Sequence, residues 1–124
     1  MERSKVMNKE KSVKLERLYV YSRNNKVKIL EGSIQRYIGE ILLNVDDGHL
    51  SESEHWIQKA IEADQRNGMM LNLGRDHALC AELFKRKGDR SKFHEHLGKA
   101  IDLFKECGAD GWLKKAEEEL AALS

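Results

Sequence analysis

The chain has 124 residues, of which 40% are apolar, 35% charged and 6% aromatic, with no proline; this is a composition for one domain of amphipathic helices and leaves little for a sheet. Its formal net charge is +1, but residues 1–28 hold nine Lys/Arg against three Asp/Glu and the remainder 13 against 18, so any general affinity for acidic partners is confined to the N-terminal end. No apolar run approaches the ~18 residues of a membrane span and no signal-peptide pattern opens the chain, so the cytoplasm is the expected compartment.

Residues 4–22 read as a first helix with Val6, Met7, Val13, Leu15, Leu18 and Tyr19 in a loose stripe, ended by Asn24-Asn25. A second helix over 26–46 sets Val27, Leu30, Ile34, Ile38, Ile41, Leu42 and Val45 at steps of three and four. Gly39 sits inside it and costs about 1 kcal/mol against alanine, so close approach of another helix is expected there. Asp46-Asp47-Gly48-His49 is a turn, and Ser51-Glu52-Ser53-Glu54 reads as a capping box opening a third helix that runs to Asn67 through Trp56, Ile57, Ala60, Ile61 and Ala63.

Gly68 ends that helix. A fourth, to Lys87, carries Leu73, His77, Cys80, Ala81 and Phe84; a fifth, over 90–107, carries Phe93, Leu97, Ala100, Ile101 and Phe104. Past Gly108, Asp110 is the expected N-cap of a sixth helix with Trp112, Leu113, Ala116, Leu120 and Leu123 on one side. Trp112 is expected to plug against Phe104. Cys80 and Cys107 are expected as buried thiols, with no disulfide.

Gly48, Ala60 and Gly68 superpose on Gly88, Ala100 and Gly108 after a shift of 40 residues, and Lys59-Ala60-Ile61 falls on Lys99-Ala100-Ile101 and Ile57 on Leu97. A fixed period of this length marks a stacked helical solenoid. The fold expected is therefore all-α, about six helices arranged as antiparallel pairs. Its units are an N-terminal half repeat (4–25), repeat 1 (26–68), repeat 2 (69–108) and a C-terminal capping helix (109–124). In this alignment Trp56 falls on His96, a residue expected at the surface.

The order and spacing of Ala81, Phe84, Gly88, Phe93, Leu97 and Ala100, and of Gly39, Leu42, Ile57 and Ala60 in the earlier copy, resemble the tetratricopeptide repeat. The closing run from Phe104 to Leu120 is similar to the C-terminal end of such arrays in bacterial signalling proteins associated with cyclases or ATPases. The resemblance implies a right-handed solenoid whose concave face, lined by the first helix of each pair, binds a protein or peptide. The positions it assigns to that face are Ser33, Arg36, Glu40, Leu43 and Asn44 in one unit and Arg75, Ala78, Glu82, Lys85 and Arg86 in the next. Glu40 and Glu82 stand where carboxylate-clamping members place Asn, which argues against a C-terminal carboxylate as ligand.

No phosphate loop, GxSxG or HExxH occurs, so no enzyme activity, cofactor or metal is expected. His94 and His96 are two apart and point away from one another on a helix, and His77 with Cys80 lies on an apolar stripe. The expectation is a non-catalytic interaction scaffold, either a free adaptor or the tail of a signalling protein, with self-association through exposed Leu18 and Tyr19. The alternative is nucleic-acid binding by the basic N-terminal helix, which added salt would weaken steeply.

Overall fold

Three glycines spaced 20 residues apart set the plan of the molecule. Gly68, Gly88 and Gly108 take φ of +68°, +80° and +66°, a left-handed conformation that costs glycine nothing and other residues strain. After each, the next backbone N–H turns back onto the preceding helix, Met69 to the Asp64 carbonyl at 2.8 Å, Asp89 to Phe84 at 2.9 Å and Ala109 to Phe104 at 2.9 Å. The same helix-ending turn is thus made three times.

The computed structural model describes residues 15–17, 19, 28–45 and 47–123, and contains no strand among them. Five helices follow one another: α1 (Lys28–Val45), α2 (Leu50–Arg66), α3 (Met70–Lys87), α4 (Arg90–Cys107) and α5 (Asp110–Leu123), with a 3-10 turn at Asp47–His49 between the first two. Residues 15–17 and Tyr19 are also helical; the rest of the expected first helix and the Asn24-Asn25 stop lie outside the described residues. Each helix packs on its neighbours in sequence, and α1 also touches α3, which is the arrangement of an all-α, repeat-like stack. Gly48 differs from its counterpart Gly88 because it lies within the 3-10 turn.

The core is continuous through α3. One side of it packs with Leu43, Ile57, Ile61, Leu73, Leu83 and Phe84, the other with Ala81, Phe93, Leu97, Ala100, Ile101, Phe104 and Ala116. Complete burial of side chains such as Ile57 and Leu97 contributes about 1.5–3 kcal/mol each. Ala60 and Ala100, matched by the repeat, are both fully buried. The reason for Gly39 is also visible: a Cβ there would come within 2.8 Å of the Ile57 side chain and 3.3 Å of the Ser53 carbonyl.

Several local expectations are corrected. The capping box does not form: α2 starts at Leu50 behind His49, with no side-chain cap, while Ser53 is buried and its hydroxyl donates to the Gly39 carbonyl at 2.7 Å. Glu54 instead pairs with Lys87. Asp110 is the first helical residue of α5 rather than its cap, whereas Asp89 does cap α4, accepting from the Lys92 amide at 3.1 Å. Leu30 is exposed, and Leu43 is buried because α1 faces both α2 and α3 and so covers a wider arc than one stripe. Cys107 is exposed and Cys80 buried, both as free thiols; burial pushes the Cys80 thiol up to about 12.

Candidate functional site

Short turns reverse the chain at each step, so α1, α3 and α5 run in the same direction and share one side of the stack. Between them opens a groove of about 280 Å³. Arg36 and Glu40 come from α1; Arg75, Ala78, Leu79 and Glu82 from α3; Trp112, Lys115, Ala116 and Glu119 from α5, with Leu97 and Phe104 of α4 at its base. Trp112 stands at one wall, 38% exposed. Its ring stacks on Phe104 at 6.0 Å between centroids, and the Arg75 guanidinium lies over it at 4.6 Å, an arrangement in which the cation faces the electron-rich ring. The tryptophan is therefore only partly the plug expected of it.

Of the ten residues assigned to this face, Arg36, Glu40, Arg75, Ala78 and Glu82 line the groove. The other five do not. Leu43 is core, 1% exposed; Ser33 is half-buried and Lys85 exposed, both outside the groove lining. Arg86 ties α3 to α1, donating to the Leu43 carbonyl at 2.6 Å and to Asn44 Oδ1 at 3.0 Å while pairing with Glu82 at 3.2 Å. Asn44 is thus part of a strut. The contribution of α5 was missed, although a capping helix that covers the last pair must flank its open side.

Beneath the groove is a buried acid cluster that apolar periodicity did not reveal. Asp64 and Asp76 are both completely buried. Arg36 Nη1 donates to Asp76 Oδ1 at 3.1 Å, while Asp76 Oδ2, both oxygens of Asp64 and the buried Gln35 Oε1 have no hydrogen-bond partner. Burial, and after it the neighbouring Asp64, raise Asp76 to about 9, against the opposing pull of Arg36. Asp76 accordingly keeps its proton at neutral pH. Burial, and after it Arg36, lower Arg75, while Glu40 and Asp76 oppose that shift.

A second buried polar pair lies between α3 and α4. His77 Nδ1 and His96 Nδ1 are 3.0 Å apart, so one ring donates and the other accepts. His96, expected at the surface, is instead stacked between His77 at 5.3 Å and Phe84 at 5.5 Å. Burial first, then the neighbouring His96 and Lys99, lower His77 to about 4; burial also lowers His96. Both rings are neutral at pH 7. His77 is therefore a partnered core residue, as its apolar stripe indicated.

At the other end of the stack Tyr19 stacks on Trp56 at 5.3 Å, and Lys59 lies 5.4 Å from the same ring. Tyr19 is half-buried against Trp56, and Leu18 lies outside the described residues. Among the described residues no three His, Cys, Asp or Glu side chains are placed to hold a metal, and no helix is long and apolar enough to cross a membrane. No family model, curated protein or solved structure matches the chain.

Proposed function

We propose that the protein is a non-catalytic interaction scaffold of the tetratricopeptide kind, holding a segment of a protein partner in the groove between α1, α3 and α5. The observation that carries this reading is Trp112, a large aromatic ring left 38% exposed at the wall of a 280 Å³ groove with the Arg75 guanidinium over its face. Partly exposed Trp and Arg in a concavity are the side chains that dominate binding energy at protein interfaces. The rest of the lining is apolar at the base and charged along the edges, the distribution of a binding surface with an apolar floor and a polar rim.

The groove charges also suit a scaffold better than a reaction centre. They come as cations and anions in similar number, and the buried carboxyls that could move a proton lie under the floor, in contact with Arg36 and Gly32. The test is a selection of random peptides displayed on phage against the whole chain. Enriched peptides should shift the fluorescence of Trp112 and lose binding to the Trp112→Ala variant; enrichment that ignores this substitution, or none at all, refutes the groove as the binding surface.

A further inference from the structure

The charges in the groove are arranged in two rows, and this arrangement says what kind of segment it takes. The inference rests on the groove being the binding surface. On each of the three parallel helices the basic residue precedes the acidic one: Arg36 and Glu40 on α1, Arg75 and Glu82 on α3, Lys115 and Glu119 on α5. Four residues of helix advance about 6 Å and the seven from Arg75 to Glu82 about 10 Å, so one edge of the groove is basic and the opposite edge, one to two turns along, is acidic. Two of these groups are already engaged, Arg36 with Asp76 and Glu82 with Arg86. Among the described residues Glu40 and Glu119 make no ion pair, and Arg75 and Lys115 face only the Trp112 ring and more distant charges.

A chain crossing from α1 to α5 therefore meets Glu40 on the acidic edge, then Arg75 on the basic edge, then Lys115 and Glu119 facing each other across the groove. An extended segment sends successive side chains to opposite sides. We infer that the groove binds an extended peptide of about six residues in which acidic and basic side chains alternate, the acids toward Arg75 and Lys115 and the bases toward Glu40 and Glu119. The length follows from the span: α1 to α5 is two helix spacings of about 9–10 Å, which six extended residues at about 3.3 Å cover. Ala78 and Ala116 in the lining leave room for the peptide backbone to lie on the floor.

The test uses the full chain and two fluorescein-labelled peptides of equal composition, Glu-Lys-Glu-Lys-Glu-Lys and Glu-Glu-Glu-Lys-Lys-Lys, beside an unbiased hexapeptide selection. The alternating peptide should bind at least about tenfold more tightly than the block peptide, the difference expected of two or three exposed ion pairs. Lys115→Glu should remove most of that preference, and because Lys115 is exposed the fold, checked by circular dichroism, should be unchanged. Equal binding of the two peptides, or selected hexapeptides that depend on Trp112 but lack charge alternation, overturns this inference and leaves the groove reading standing. Selection with no dependence on Trp112 overturns both.

Discussion

Asp64 lies against Gly32 in the way that, one repeat later, the ring of Phe104 lies against Gly74. A Cβ added to Gly74 would come within 2.7 Å of the Phe104 ring, and one added to Gly32 would overlap the Asp64 carboxyl group. Asp64 and Phe104 are 40 residues apart and Gly32 and Gly74 are 42 apart, so an acid replaces an aromatic at corresponding places that the fold buries either way. Beside Asp64 is Asp76, itself paired with Arg36. The acid cluster thereby connects the packing of α1 on α2 to Arg36 at the groove.

The glycine contact predicts opposite outcomes for two alanine substitutions. Gly32→Ala gains about 1 kcal/mol of helix propensity but must push α1 away from a buried carboxyl, and should destabilise the protein by about 2 kcal/mol or more. Gly98, in the middle of α4, has nothing within 4 Å of a would-be Cβ. Gly98→Ala should stabilise by about 0.5–1 kcal/mol. Urea midpoints of the two variants check both signs.

Removing one acid or the other should also have opposite effects. Asp64→Leu replaces a buried carboxyl with an apolar side chain of similar shape and leaves Asp76 paired with Arg36, so stability at pH 8 should rise by about 1 kcal/mol. Asp76→Leu leaves the Arg36 side chain, 11% exposed, without its carboxyl and should cost about 3 kcal/mol. Equilibrium unfolding at one pH measures the difference, and a gain from Asp76→Leu would show that Arg36 does not depend on it.

The pH profile of stability should peak near 6.5. Asp76 is raised from 3.8 to about 9 on folding, so its contribution is complete below about 3.8 and is lost as pH rises toward 9. His77 is lowered from 6.5 to about 4, and His96 moves in the same direction, so their contribution is complete above 6.5 and is lost as pH falls toward 4. Above 6.5 only the Asp76 effect operates, and stability should fall by up to about 1.4 kcal/mol per pH unit. Below it the histidines and Asp76 oppose one another and the fall is shallower. Asp76→Asn should flatten the alkaline limb and steepen the acid one, where the histidines then act unopposed; melts between pH 4 and 9 decide this.

Trp112→Ala should cost about 1–2 kcal/mol, less than the 3–5 typical of a fully buried aromatic, because the ring stacks on Phe104 but keeps 38% of its surface in water. Melting temperature measures the loss. A cost of 4 kcal/mol would mean that the ring is chiefly structural and weaken its assignment as a binding residue.

The helices and their turns were legible in the chain because they depend on local chemistry. Glycines at 68, 88 and 108 supply a backbone conformation few other residues take, and Phe93, Leu97, Ala100, Ile101 and Phe104 repeat with the period of a helix. The repeat likewise placed Ala60 and Ala100 in equivalent buried positions. Five of the twelve residues lining the groove, Arg36, Glu40, Arg75, Ala78 and Glu82, were among those that the resemblance to a helical repeat assigned to this face. What only the tertiary structure decided is which polar groups are buried and which partners they meet. Asp64 follows Ile57 and Ala60 on the inner face of α2, yet a carboxyl there reads as solvated until Asp76, from the next helix, is seen beside it. Ser53, His96 and Leu43 were misplaced for the same reason. Helical periodicity describes one face of one helix, whereas in the stack α1, α2, α3 and α4 are each packed by more than one neighbouring helix, and which polar side chains are buried depends on the approach of those other elements.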